Sequence, residues 1–221
     1  MHGSKTPVPK GFTLIELVIV VALVAVIALT VIIVTNPVEV FREARDSQRI
    51  ADLNQMSRAV SLYVGTASNP FLGVCGDPNG NGPNNAAFQA KCYMQPLNLG
   101  ANPAPARCGP RTNGGGSSWP TSTMGTSTLI DGGGWVPVNL NEAGYGAPLQ
   151  AWPVDPKPSV STPFVRDTSY YYSYYCDTNG QWEFDANLES AKYASSGISD
   201  AESTDGGSRS DTYEVGTNTQ L

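Results

Sequence analysis

The sequence predicts an α+β fold, a long N-terminal α-helix packed against a C-terminal antiparallel β-sheet that carries long disulfide-bearing loops. Three observations predict it. Residues 12–35 are almost wholly apolar, apolar residues then recur at helical spacing through residues 38–64, and strand alternation appears only late, around residues 170–188. Fourteen of the 17 prolines lie beyond Gly65, so extended helix is not expected there. The expected organisation is a leader over residues 1–11, a membrane-crossing helix over 12–35, its amphipathic continuation over 36–65, and a globular domain outside the membrane over 66–221.

The first eleven residues are short and polar, with Lys5 and Lys10 as their charges. From Leu17 to Val34 every residue is apolar except Thr30. As a helix, residues 12–35 would reach about 36 Å, against a hydrocarbon core of ~30 Å. The basic flank places the N-terminus in the cytoplasm and the rest outside. An ordinary secretory signal has a shorter apolar run followed by a small-residue cleavage site, whereas Thr35-Asn36-Pro37-Val38 follows here.

Glu16 is the residue a plain anchor leaves unexplained. A carboxylate inside an apolar span costs on the order of 2.5–3.5 kcal/mol on insertion scales. No Lys, Arg or His lies within residues 12–35 to pair with it. Cleavage between Gly11 and Phe12 would create an α-amine at Phe12, with a reference pKa of about 7.7–8.0. That amine, from the same chain or a neighbouring one, is a partner for Glu16.

The run Lys10-Gly11-Phe12-Thr13-Leu14-Ile15-Glu16-Leu17 resembles the prepilin motif of type IV pilins and of the pseudopilins of type II secretion and DNA-uptake machines. The resemblance implies cleavage after Gly11 by a membrane prepilin peptidase and N-methylation of Phe12. It also implies that Glu16 draws the subunit into a growing filament by pairing with a neighbour's N-terminus, the apolar helices forming the filament core. Many pilins carry a Gly and a Pro in the apolar half of the helix, and this chain has neither there.

Beyond the membrane, Phe41, Ala44, Ile50, Leu53, Met56, Val60 and Tyr63 are expected to form the buried stripe of the helix. Charged residues, among them Asp46 with Arg42 and Arg49, are read as a solvated face. Pro37 predicts a kink or a local loosening.

Residues 66–134 are rich in turn chemistry, such as Asp77-Pro78-Asn79-Gly80 and Asn113-Gly114. Cys75, Cys92, Cys108 and Cys176 are spaced 17, 16 and 68 residues apart. That spacing is poor for zinc, and an even number outside the membrane predicts two disulfides, with three connectivities open.

Trp135, Val136, Val138 and Leu140 suggest one strand, demoted to an edge by Pro137. Residues 170–176 and 181–188 read as a hairpin about the Asp177-Thr178-Asn179-Gly180 turn, with one buried face. Glu183, Asp185 and Asn187 alternate onto the other face. The order of a Pro153-Val154-Asp155-Pro156 turn before a tyrosine-rich hairpin resembles the C-terminal part of many pseudopilins and Gram-positive-type pilins. Sheet packing accounts for the tyrosines, with an adhesive or inter-subunit surface as the alternative.

The tail from Ser199 is acidic and read as a flexible, solvated loop. Asp200, Asp205 and Asp211 are its candidate calcium ligands, and the resemblance adds weight because major pseudopilins hold calcium in a C-terminal loop. Their spacing matches no EF-hand, and no other cofactor or metal is expected.

With 13 Lys and Arg against 19 Asp and Glu, the formal charge of -6 argues against direct nucleic-acid binding. The only histidine, His2, lies in the leader, and neither a GxSxG elbow nor a Walker loop is present. The chain is therefore read as a non-enzyme. The function implied is a structural subunit of a surface filament serving adhesion, motility or DNA uptake. Its partners would be copies of itself, the prepilin peptidase and assembly machinery, and the membrane that holds the precursor. A secretion pseudopilin, or a membrane-anchored binding module that does not polymerise, are the alternatives.

Overall fold

The computed structural model describes residues 11–73, 75, 93–94, 123–124, 127–157, 170–177 and 179–220. The chain divides into two compact units, Met1–Phe41 and Arg42–Leu221. Cys92 and Cys108 lie outside the described residues.

In the first unit, helix α1 runs Leu14–Thr35 without a break. Leu14–Ile33 is long and apolar enough to cross a membrane. Its one hydroxyl within the apolar run is satisfied internally, Thr30 Oγ1 donating to the Val26 carbonyl at 2.9 Å. The helix ends at Asn36, which takes the left-handed conformation with φ 37°. Pro37 explains this stop, because its ring disfavours the α conformation in the residue before it. Pro37 then serves as the first residue of α2, Pro37–Thr66, where its missing N–H is no loss. The Asn36 carbonyl accepts from Glu39 N at 2.9 Å. The expected kink is thus a break between two helices.

The buried face of α2 differs from the expected stripe in its first half. Phe41 and Ala44 are exposed, while Asp46, Arg49 and Asp52 are buried. From Leu53 the stripe turns apolar through Met56, Ala59, Val60 and Tyr63. Of the charges expected on a solvated face, Arg42 is exposed, while Asp46 and Arg49 are buried because distant acids complete an ionic cluster around Arg49.

The sheet has the order β2-β1-β3-β4-β5. Strands β1 (Tyr93–Met94) and β2 (Thr123–Met124) are a short parallel pair at one side. Strands β3 (Tyr172–Cys176), β4 (Trp182–Ala186) and β5 (Tyr213–Gly216) are antiparallel throughout. The β3–β4 turn is fixed by Asp177, whose Oδ1 accepts from Asn179 N and Gln181 N, and by Gly180 at φ 77°.

Register assigns the faces. Tyr172 opposes Ala186, Tyr174 opposes Phe184 and Cys176 opposes Trp182. These join Leu53, Met56, Val60 and Tyr63 of α2 in one hydrophobic core with Trp135 and Trp152. Tyr174 and Phe184 rings stand 4.9 Å apart. A disulfide joins Cys75 to Cys176, tying the segment after α2 to the end of β3.

Three expectations need correction. Residues 135–140 form no strand. Asp131 and Asn139 make a single bridge, and a 3-10 helix spans Leu140–Glu142. Trp135, Val136, Val138 and Leu140 are all fully buried while Pro137 and Asn139 between them are half-buried, so burial alternates without a strand ladder. Its amides at Trp135 and Leu140 donate to the carbonyls of Ser127 and Ile130. Second, both faces of the β3–β4 hairpin are buried, Ser173, Glu183 and Asp185 included. Third, the acidic tail is not a solvated loop. It supplies β5, and its Glu202 carboxylate is buried, accepting from Leu188 N and Ser195 N.

Candidate functional site at the start of the apolar helix

Gly11, Phe12 and Thr13 lead into α1 in non-helical conformation. Phe12 is 88 % exposed. A Cβ built on Gly11 would meet nothing within 4 Å, and its backbone is not in the left-handed region. Folding therefore sets no requirement for glycine here, and any requirement comes from outside the chain.

Thr13 is the N-cap of α1, extended at φ -82° and ψ 151°. Glu16 sits three residues on and closes a capping box. Its Oε2 accepts from Thr13 N and from Thr13 Oγ1, each at 2.9 Å, and Thr13 Oγ1 accepts from Glu16 N at 3.3 Å. Sequence reasoning looked for a charged partner and missed this one, although Thr13-Leu14-Ile15-Glu16 is a capping-box pattern. The box satisfies helix N–H groups but supplies no positive charge, so the carboxylate stays available to a cation. Beyond it, the apolar side chains of α1 are exposed through Ile33.

Residues 9–32 match the family model of the prokaryotic N-terminal methylation motif. The chain carries a pilin-type leader. The match covers the end of the leader and most of α1, and it is the signature shared by type IV pilins and pseudopilins. It supports a type IV pilin-like or pseudopilin precursor, a structural subunit rather than an enzyme, held by an apolar N-terminal helix. No curated protein and no solved structure matches the chain.

The second unit holds two further clusters of charged side chains. Arg49 is fully buried and binds Asp155 through Nε at 2.6 Å and Nη2 at 2.9 Å, Asp46 at 2.7 Å and Glu189 at 2.6 Å. Burial works against its charge, yet the surrounding carboxylates hold its pKa above the ordinary value. Burial alone would raise Glu189, but hydrogen bonds from Arg45 and Arg49 bring it down to about 2. Asp46 also accepts from the backbone N–H groups of Glu189 and Ser190. This cluster fastens α2 to the Pro153-Val154-Asp155-Pro156 turn and to the chain after β4.

The calcium candidates from the tail each serve their own loop. Asp200 accepts from Ser196 N and Ser203 N, Asp205 from Gly207 N and Glu214 N, and Asp211 from Arg209. The acids that do converge are Glu183, Asp185 and Glu214, on the sheet face away from α2. Alternation identified that face correctly, but composition could not reveal that the later chain covers it.

Proposed function

We propose that this chain is a structural subunit of a type IV pilus-like surface filament, used for adhesion, motility or DNA uptake. The observation that carries this reading is at one end of α1. There the Gly11–Phe12 bond shortly precedes in sequence a carboxylate, Glu16, held by neutral groups of Thr13, at the head of an exposed apolar helix. A precursor inserted with its N-terminus in the cytoplasm is cut after Gly11 by a prepilin peptidase and methylated at Phe12. The new amine is protonated near neutral pH. In the filament it pairs with Glu16 of a neighbouring subunit, and this pairing selects one axial stagger among apolar helices that otherwise exchange lipid for protein contacts. A large disulfide-bonded domain supports a surface pilus over a secretion pseudopilus.

The test is Glu16→Ala in cells that assemble the filament. Membrane insertion and leader removal should be normal, and mass spectrometry should find a chain beginning at methylated Phe12. A loss of about 1.4 kcal/mol per subunit addition lowers the association constant tenfold, so filament yield should fall at least that far. Wild-type yield in the variant, or surface-exposed protein that retains the leader, would refute the reading.

A further inference from the structure

We propose that Glu183 and Asp185 of β4 and Glu214 of β5 form a binding site for one hard divalent cation, with calcium the preferred ion, on the sheet face opposite α2. The site stands independently of the filament reading and does not use Asp200 or Asp211.

Register brings the residues together. Asp185 lies directly opposite Glu214 across the β4–β5 ladder, and Glu183 is two residues along the same face of β4. One carboxylate oxygen from each falls within 4.8 Å of the others. Donors so spaced can surround a single ion at about 2.4 Å, within the calcium–oxygen range. All three residues are buried, Asp185 at 5 % exposure. Covering chain comes in part from the segment before β5. Asp205 Oδ2 accepts from Glu214 N, and Arg209 N donates to Glu214 Oε2.

A separate observation points to a missing ligand. Asp185 Oδ2 accepts from Ser173 Oγ at 3.0 Å, but Asp185 Oδ1 is buried and, among the described residues, no N–H or hydroxyl reaches it; a protonated Glu183 carboxyl is the one group that could serve it without a cation. A buried acceptor left in this state is expensive, and more so when it belongs to a carboxylate. The charge count points the same way. Three carboxylates converge, and among the described residues Arg209, which also binds Asp211 at 2.9 Å, brings positive charge to Asp185 and Glu214. One divalent cation would remove most of that excess. Without it, burial and mutual repulsion raise the pKa of Glu183, and burial raises Asp185 and Glu214. Three carboxylates offer enough oxygens for the irregular, high-coordination shell of calcium. Magnesium keeps several waters, which a buried strand face does not favour.

The test uses the full chain in detergent after treatment with a chelator, at neutral pH. Calorimetric titration with calcium chloride should give one ion per chain, and Tm should rise with the logarithm of free calcium. Asp185→Asn should weaken calcium binding by more than the ~10–100-fold typical of outer-shell changes. Glu183→Gln is the second variant, read in the same way should Asp185→Asn fail to fold. The Asp200→Asn/Asp211→Asn double variant should bind like wild type. Absence of binding and of any Tm shift with millimolar calcium, magnesium or manganese would overturn the proposal. So would calcium binding retained in the folded β4 variants, or lost in the double variant, which would move the ion to the tail loop.

Discussion

The apolar helix α1 leaves its side chains exposed from Leu14 to Ile33, while the unit beginning at Arg42 buries aromatic and ionic groups alike, down to Arg49, Tyr172 and Phe184. Carboxylates follow the same division. In α1, Glu16 is held by the backbone and hydroxyl of one threonine. In the second unit, Asp46, Asp155 and Glu189 surround a guanidinium drawn from α2. The second unit meets most of its described charges within the chain, the carboxylates of β4 and β5 apart. The first leaves an apolar face exposed and holds its carboxylate with neutral groups. The comparison predicts that substitutions in the second unit will act on folding, and those in the first on assembly.

The largest expected effect is at Arg49. Removing one partner from a buried ionic cluster strands the others, at a typical loss of about 3–5 kcal/mol. Arg49→Ala should lower stability by that order, read from denaturant unfolding followed by the fluorescence of buried Trp135 and Trp152. Arg45 reaches Glu189 from a partly exposed position, and Arg45→Ala should lose only ~1 kcal/mol. Equal losses in the two variants would mean that the cluster is no more than a surface ion pair.

The disulfide comes next. It links positions 101 residues apart, and restricting an unfolded loop of that length stabilises by up to about 4.7 kcal/mol in the chain-entropy treatment. Cys75→Ser should lose about 2–4 kcal/mol, because measured gains fall short of that limit. An unchanged urea midpoint would show that the segment after α2 is held by other contacts, such as Tyr174 OH donating to the Leu72 carbonyl.

How far the sequence could be read follows the same division. The apolar helix is a local pattern legible from composition and length, and the leader's end is a local motif, Lys10 to Leu17, legible by its resemblance to the prepilin motif. The β3–β4 hairpin was legible because Asp177 and Gly180 carry their own turn chemistry. The core pairs Tyr172–Ala186 and Tyr174–Phe184 then follow from period-two alternation. What escaped was whatever depends on distant chain. Nothing near Arg49 announces that Asp155 and Glu189 will meet it, and helix spacing alone sent it to solvent. Alternation put Glu183 and Asp185 on the second face, but burial of that face depends on residues some 20 to 30 positions later. Cysteine spacing left three pairings because only the fold brings Cys75 beside Cys176. Thr13–Glu16 is the exception, a local pattern that was readable and passed over in the search for a positive charge.

The smallest effect sharpens the comparison at α1. Thr13→Ala removes the side chain that accepts from Glu16 N and donates to Glu16 Oε2, and the loss of such a cap costs about 1 kcal/mol. In detergent, the amide of Glu16 should exchange with solvent roughly fivefold faster, the factor that ~1 kcal/mol represents. Thr13→Ser keeps the hydroxyl and should restore the slow rate. Unfolding of the second unit should not change in either variant, since the hydrogen bonds of the cap run between Thr13 and Glu16. If Glu16 exchange is unaffected by Thr13→Ala, the capping box does not hold the carboxylate, and Glu16 is already committed to some other partner before assembly begins. If exchange accelerates and Thr13→Ser reverses it, the carboxylate is held by a bond weak enough for a neighbouring amine to replace.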